Sequence, residues 1–468
     1  GQCDCGVEDT DTDEDGLADC VDPCPNWPYD CSEDGQTITV AVGQSIQGGL
    51  AATPVGGNLI LSAGIHDLSG TLQISGNLNV SGEVDGDGNP TTILDGEAFT
   101  GSAFNSVLNS EDTLNLRDLV IRDCTVGTSG QGGALNLTGG IVTIENVWFN
   151  ANEAGQGGAV LCGTESSVAF IDCQFTGNSA TANIAQGGAV LATTNNIVSF
   201  TQCAFVSNIS DDDGAGIYFN SDGSTEHLVT DCFFDGNFAS FDGGGIRVYG
   251  DSRVAIDGTL FTLNFSSRGT GVQLQGNSEA VITNSVFTGN QGDPIDGTGN
   301  RLAIGTTVIC GNDESNDPPS GYEDLGANCF LEDCGDDLDD NGIPDACDPD
   351  CNSNGLPDGL DTDCDENGTP DECDITDGNV EDCNDNGVPD SCDITEGTEE
   401  DDNTNGIPDS CDIARGDLNS DGCVDAADLG TLLALWGFVN PPLGDLNEDG
   451  VVGAADIGIL LANWETCP

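Results

Sequence analysis

Eight twelve-residue stretches carry oxygen-bearing side chains in one register: Asp at position 1, Asp or Asn at 3 and 5, Gly at 6, and Asp at 12. The first supplies Asp11, Asp13, Asp15, Asp19 and Asp22. The second and third supply Asp337, Asp339, Asn341, Asp345 and Asp348, then Asp350, Asn352, Asn354, Asp358 and Asp361. The fourth has Asp363, Asp365, Asn367, Asp371 and Asp374, and the fifth Asp382, Asn384, Asn386, Asp390 and Asp393. The sixth has Asp401, Asn403, Asn405, Asp409 and Asp412. The last two have Asp417, Asn419, Asp421, Asp425 and Asp428, then Asp445, Asn447, Asp449 and Asp456. Gly453 stands at position 9 of the last, where a water could serve. Calcium is a hard cation that takes about six to eight oxygens from a folded-back loop. Positions 1, 3 and 5 turn oxygens inward, the glycine permits the sharp bend, position 7 offers a carbonyl, and position 12 closes the shell. About eight calcium ions or more are therefore expected, one per loop. A merely solvated acidic tail would not place Gly and Asn at fixed intervals.

Composition points the same way. The chain has 468 residues, 83 of them acidic and 7 basic, and the 7 are all Arg. Of the 83, 44 fall in 311–468 beside the single basic residue Arg415. A formal charge of −76 repels nucleic acid and anionic lipid, which are bound through Lys and Arg. Crowded carboxylates need counter-ions, so the acidic end is either disordered or metal-bound. The 22 cysteines suit an oxidising compartment. A start at Gly1 suggests a processed mature form. The apolar runs at Leu432–Val439 and Ile457–Ala462 are far shorter than the roughly 20 residues of a membrane span. A bacterial secreted, extracellular or cell-surface protein is expected.

The loops are of two kinds. DTDEDGLADCVDPCP, from Asp11, resembles a thrombospondin type 3 repeat. The five loops from Asp337 to Asp412 resemble that family with Pro at position 8: Pro344, Pro357, Pro370, Pro389 and Pro408. Little apolar material lies between them, so ions and disulfides must replace a core. Cys347, Cys373, Cys392 and Cys411 occupy position 11, and Cys351, Cys364 and Cys383 occupy position 2. That recurrence suggests staples within or between repeats, with the connectivity open. The last two loops run into helical patterns. Leu429, Leu432, Leu433 and Trp436 recur at helical spacing, and Ile457, Leu460, Leu461 and Trp464 repeat the pattern 28 residues later. Residues 416–467 resemble a type I dockerin. The resemblance implies docking to a cohesin-like surface protein through Ala426, Ala427, Ala454 and Ala455, although these helices lack the Lys or Arg common in dockerins. A plain calcium-stabilised terminal module or a self-association contact is the alternative.

Between the loop regions lies a second repeat. Phe149, Phe175, Phe205, Phe234, Phe261 and Phe287 are each followed three residues later by Asn: Asn152, Asn178, Asn208, Asn237, Asn264 and Asn290. The spacings are 26 to 30, and a glycine-rich step such as GGAV at 157 or GGGI at 243 follows the first five. One coil of a parallel β-helix has this period. Phe then forms an internal ladder, and Asn a corner whose amide bonds to the next coil. In the coil before, Ile121 takes the Phe place. Cys173, Cys203 and Cys232 lie two before each Phe, so a buried thiol column is favoured over disulfides. The FxxN and GGAI-like pair over 116–290 resembles the repeats of chlamydial polymorphic membrane proteins, which are β-helical surface adhesins. VGQSIQGGLAATPVGGNLILSAGIHDLSG resembles the opening of pectin-lyase-like β-helices, which implies a short capping helix near Ser45–Ala52.

The expected fold is mainly β: a right-handed parallel β-helix flanked by calcium-loop repeats and a small helical C-terminal module. The expected divisions are 1–36, 37–310, 311–415 and 416–468. No spacing assigns a catalytic or organic-cofactor residue. His66 and His227 stand alone, and Asp231, Asp235 and Asp257 show no paired motif. Arg247 and Arg253, with Asp242 and Asp251 nearby, are expected to form surface ion pairs. The chain is thus expected to be a structural protein that self-assembles into a filament or surface layer and not an enzyme, with an adhesin or carbohydrate-binding rod as the first alternative and a dockerin-borne polysaccharide lyase or hydrolase as the second. A calcium module at each end of a rod makes the two ends different, and contact between unlike ends propagates as a head-to-tail array. The expected partners are copies of the chain, a cohesin-like protein or glycans, without nucleic acid.

Overall fold

The computed structural model describes residues 30–32, 35–193, 196–223, 226–297, 300–313, 316, 320–338, 343–354, 356–384, 386–401, 404 and 406–464. The chain divides into two compact units, 1–334 and 335–468. The first is a right-handed parallel β-helix. Its strands pair with those one coil away, as in Ser167–Ile171 against Ile197–Thr201 and Val190–Ala192 against Ile217–Ser221. Three sheets result among the described residues: a large bent one, a nine-stranded one ending at Leu72–Ile74, and a short one through Ser179–Ala180.

The bend of the large sheet falls at residues with left-handed φ, among them Asn146 (50°), Asp172 (52°) and Asp231 (52°). Asn and Asp tolerate this conformation better than other side chains. The glycine step is obligatory for a second reason: a Cβ on Gly158 would lie 2.0 Å from the Gly188 carbonyl oxygen of the next coil. At its start the rod is closed by helix α1, Ile46–Ala52, whose N-cap Ser45 accepts from Gly48 N at 3.1 Å. Ile46 and Gly49 are buried there. This matches the capping helix anticipated from the sequence.

The interior is the anticipated ladder. Phe149, Phe175, Phe205, Phe234, Phe261 and Phe287 are all fully buried. Neighbouring rings stack at 4.8, 4.6, 4.6, 4.9 and 4.6 Å between centroids. A second stack, Phe170 on Phe200 at 4.8 Å, lies beside it. The Asn corner is equally regular. Asn208 Nδ2 donates to Asn237 Oδ1 and to Phe175 O, both at 2.9 Å, and the pattern repeats from Asn152 to Asn312. Each buried amide therefore has a partner, as a dry corner requires. Ile121 pairs with Phe149, as expected. Pairing continues past residue 310: Glu323–Gly326 lies on the strand Arg301–Gly305, and Cys329–Leu331 on Val308–Cys310. The sequence divisions missed this last coil because Glu323–Gly326 is exposed throughout and carries little apolar signal.

Cys173, Cys203 and Cys232 are free and buried, as are Cys124 and Cys162. Burial pushes the Cys124 thiol up to about 12 and raises those of Cys162 and Cys203 as well. The thiolate is the reactive form. These five cysteines are expected to stay unmodified when native protein meets an alkylating agent, and to react once the rod is unfolded. Peptide mapping checks this, and native labelling at Cys203 would place the column at the surface.

The second unit contains three seven-residue helices, α2 (Asp371–Asp377), α3 (Asp390–Glu396) and α4 (Asp409–Arg415). Each begins at loop position 9, after the proline of position 8. Sequence periodicity did not anticipate them, since two turns are too few to display a 3.6-residue repeat. Helices this short are marginal without tertiary support. Disulfides join Cys351 to Cys373, Cys364 to Cys392, and Cys383 to Cys411, with Cα atoms 6.0, 6.1 and 5.9 Å apart. Position 2 of one loop is thus tied to position 11 of the next. Helices α5 (Ala426–Ala434) and α6 (Ala454–Ala462) follow, with Leu432 and Leu460 fully buried. The anticipated apolar stripe packs only in part. Leu433 and Leu461 are each 51% exposed and Trp436 49%, because the small core is filled by Leu418, Val424 and Val452 from the loops.

Candidate functional sites: acidic loops and a charged cluster on the rod

Each well-described loop folds around its first carboxylate. Asp363 Oδ1 accepts from Asn367 N at 3.2 Å and Oδ2 from Gly368 N at 2.8 Å. Asp382 accepts from Asn386 N and Gly387 N at 3.2 and 2.9 Å. Asp417 accepts from Asp421 N and Gly422 N at 3.2 and 2.7 Å, and Asp445 from Asp449 N and Gly450 N at 3.1 and 2.8 Å. Position 4 is left-handed, with φ 56° at Glu366, 54° at Ser420 and 57° at Glu448. Two left-handed residues, at 4 and 6, fold the loop back on itself; only the glycine was anticipated.

Position 12 closes each loop. Asp428 accepts from Leu418 N and Asp425 N at 2.9 and 2.8 Å, and Asp456 from Leu446 N and Gly453 N at 2.8 and 2.7 Å. In the proline-type loops the position 5 amide reaches this carboxylate: Asn367 Nδ2 to Asp374 at 2.7 Å, Asn386 Nδ2 to Asp393 at 2.8 Å, and Asn354 Nδ2 to Asp361 at 2.9 Å. Positions 1, 5 and 12 therefore converge. The amide supplies the positive end that the carboxylate lacks, and its oxygen is on the same group. Burial raises the carboxyl groups of Asp371, Asp390 and Asp417 from their ordinary value, against the lowering effect of the backbone N–H groups they accept from. Such a cluster of hard oxygens fits a divalent cation of the calcium type.

Sulfur is not part of that chemistry. Cys364, Asp371 and Cys392 lie together, as do the Cys351 and Cys383 groups, but each pair of sulfurs is joined in a disulfide. Asp11, Asp13, Asp15, Asp19, Asp22, Asp339, Asn341, Asn403 and Asn405 lie outside the described residues. So do Gly1–Val7 and Glu465–Pro468, which the expected end-to-end contact would use.

A second cluster lies on the rod and was missed. The residue before the glycine step is Gln131, Gln156 and Gln186 in three coils, an amide ladder with 2.8 and 3.3 Å bonds. In the next three coils it is Asp213, Asp242 and Arg268. The adjacent outward column of the nine-stranded sheet runs Leu161, Leu191, Tyr218 and then Arg247, Gln273, Asp296. The first column turns charged at Asp213, and the second follows one coil later at Arg247.

Arg247 is 2% exposed and Asp242 3%, so the expected surface ion pair is corrected to a buried one. Arg247 Nη1 donates to Asp242 Oδ2 at 2.6 Å and also contacts Gln273 Oε1. Its Nη2 contacts Gln275 Oε1 and lies 3.8 Å from Asp213 Oδ2. Arg268 Nε and Nη2 hold Asp242 from the other side at 2.8 and 2.6 Å. The guanidinium carbon of Arg247 stands 5.8 Å from the Tyr249 ring centre. Burial pushes the Asp213 carboxyl up to about 6, with Arg247 opposing and Asp212 and Asp242 adding to the rise. A carboxyl with that value can give or take a proton near neutrality.

The other candidates separate. Arg253 pairs with Glu279 at 3.4 Å on the exposed surface, and Asp251 accepts from Asn277. Asp257 accepts from Thr283 and Asn284 at 2.7 Å, without a bond to Asp231 or Asp235. His66 and His227 are buried in the rod, and burial lowers His227 to about 4. The sequence signal that was available is the Q, Q, Q, D, D, R series before the glycine steps.

Residues 158–317 match the family model for a right-handed β-helix region. No curated protein matches. Among solved structures, the chain is similar to a protein of Geobacillus virus E2 at 14% identity, covering 63% of this chain and 60% of that one, with a TM-score of 0.36. It is similar to the catalytic domain of a GH87 α-1,3-glucanase at 12% identity, with coverage of 64% and 70% and a TM-score of 0.38. The pectin methylesterase of Aspergillus niger matches at 13%, with 64% and 88% covered and a TM-score of 0.34. The expectation that the chain is not an enzyme is corrected: a glucanase catalytic domain and an esterase are among the similar solved structures. Among the described residues no helix is long and apolar enough to cross a membrane, and the disulfides suit an extracellular protein.

Proposed function

We propose that this is a secreted or cell-surface calcium-binding protein: a rigid β-helical rod with an acidic unit that calcium folds and that links the rod to a neighbour. The observation that supports it most is the shared geometry of the loops, in which positions 1, 5 and 12 converge on backbone N–H groups and on one another. The neighbour is a second copy of the chain, joined end to end, or a cohesin-like protein that receives α5 and α6. Calcium would bridge acidic surfaces that otherwise repel. Sedimentation velocity of the native chain checks the assembly. In millimolar calcium the sedimentation coefficient should rise with protein concentration and fall back on chelation. A single monomeric species across both series would contradict self-assembly.

A carbohydrate-binding rod is the second reading, and a specific observation favours it. The Arg247–Asp242 cluster spends buried charge on the outer face of a sheet whose earlier coils manage with Leu161 and Leu191. Burying charge is costly unless every group is paired, so its presence calls for a use.

A further inference from the structure

The charged cluster has a definite supply of groups for a ligand. Asp242 takes hydrogen bonds from both Arg247 and Arg268, Arg247 being buried and Arg268 reaching it through Nε and Nη2. Asp212 and Asp213 are partly exposed carboxylates. Gln275 is exposed at the outer edge of the same face. Carboxylate, amide and guanidinium edges together suit partners that both donate and accept hydrogen bonds, and the hydroxyl is the group that does both.

One aromatic ring, Tyr249, lies over this polar centre, and others are exposed on neighbouring segments of the same coils. Tyr249 is 40% exposed on the sheet face itself, and Phe241, next to Asp242 in the chain, is 58% exposed. Phe238 and Phe265 stack at 4.9 Å in successive coils of the adjoining short sheet edge. Exposed rings that form a group mark an interaction site. A flat apolar ring beside hydrogen-bonding groups suits a ligand with both apolar C–H faces and hydroxyl edges. The overall charge of −76 opposes polyanions.

We propose that this face, centred on Tyr249 with Asp213, Gln275 and Phe241 around it, binds a neutral glycan chain of unsubstituted sugar residues. The proposal rests on the carbohydrate-binding reading and names its ligand class. Arg247 and Asp242 are the buried frame that holds the polar edge in place. Tyr249 and Phe241 are the contact surface and can be changed without opening the frame.

The test uses the full chain in calcium buffer, screened by calorimetry against neutral gluco-, manno-, galacto- and xylo-oligosaccharides, with polygalacturonate as the acidic comparison. At least one neutral oligosaccharide should bind. Tyr249→Ala should weaken that binding about tenfold or more and Phe241→Ala severalfold, each with the rod's melting temperature unchanged. Neutral glycan binding that neither variant alters would overturn the proposal while leaving a carbohydrate-binding rod. A preference for polygalacturonate would do the same. No binding to any of these sugars would count against both.

Discussion

With calcium removed by a chelator, amides in residues 343–464 should lose their protection against hydrogen exchange, while those in 37–331 keep theirs. The expected contrast follows from what holds each unit. The rod is held by stacked Phe rings and the Asn corner, neither of which involves a metal. The second unit has a small core around Leu432 and Leu460 and three helices of seven residues. Its 37 carboxylates in 335–468 face one arginine. An ion present at about a hundred times its dissociation constant stabilises its site by about 2.7 kcal/mol. Two or three such sites equal the whole stability of an ordinary domain, about 5–15 kcal/mol. The disulfides would keep the chain connected but cannot offset the repulsion. Acid should act in the same direction, because ligand carboxylates bind metal only when deprotonated. Protection in 343–464 that is unchanged by chelator would refute the metal's role in folding.

The second large effect concerns the rod. Phe234→Ala should lower the rod's stability by about 3–5 kcal/mol, the usual cost of emptying a buried aromatic site. Phe234 touches Phe205 at 4.6 Å and Phe261 at 4.9 Å, so the gap would be walled by rings that cannot easily close it. Phe287 is the last ring of the series. It should cost about as much, because Ile309 covers it in the next coil. Exposed Phe241→Ala serves as the control and should change stability by about 0.5 kcal/mol or less. Urea unfolding followed by circular dichroism measures all three. Equal small losses at Phe234 and Phe287 would mean that the Phe column faces solvent.

What could be read in advance depended on whether a residue's partner is its own equivalent. In a β-helix, Phe205 meets Phe175 and Phe234, and Asn208 meets Asn178 and Asn237. A single period in the sequence therefore reveals the contact. The acidic loops were legible for a related reason, since each is a self-contained turn whose ligands are its own side chains. The cluster at Arg247 was not legible. Its members come from two strands and from glycine-step residues of three coils, and each looks like an ordinary outward residue until the columns are aligned. The helices α2 to α4 were hidden by brevity. The stripe on α5 was over-read, because helical spacing marks one apolar side but not how much of it a partner covers; Leu432 is covered and Leu433 is not.

The central claim is that the repeated loops hold calcium, and counting the metal tests it most directly. The native chain is equilibrated at physiological ionic strength with magnesium in excess over free calcium, freed of loosely held ions by gel filtration, and analysed for bound calcium per chain by elemental mass spectrometry. About eight ions are expected, one for each loop in the sequence, and about one fewer in Asp363→Ala combined with Asp374→Ala. A chain that retains none, or a number that this double substitution leaves unchanged, would contradict the account and reduce the loops to a solvated acidic surface.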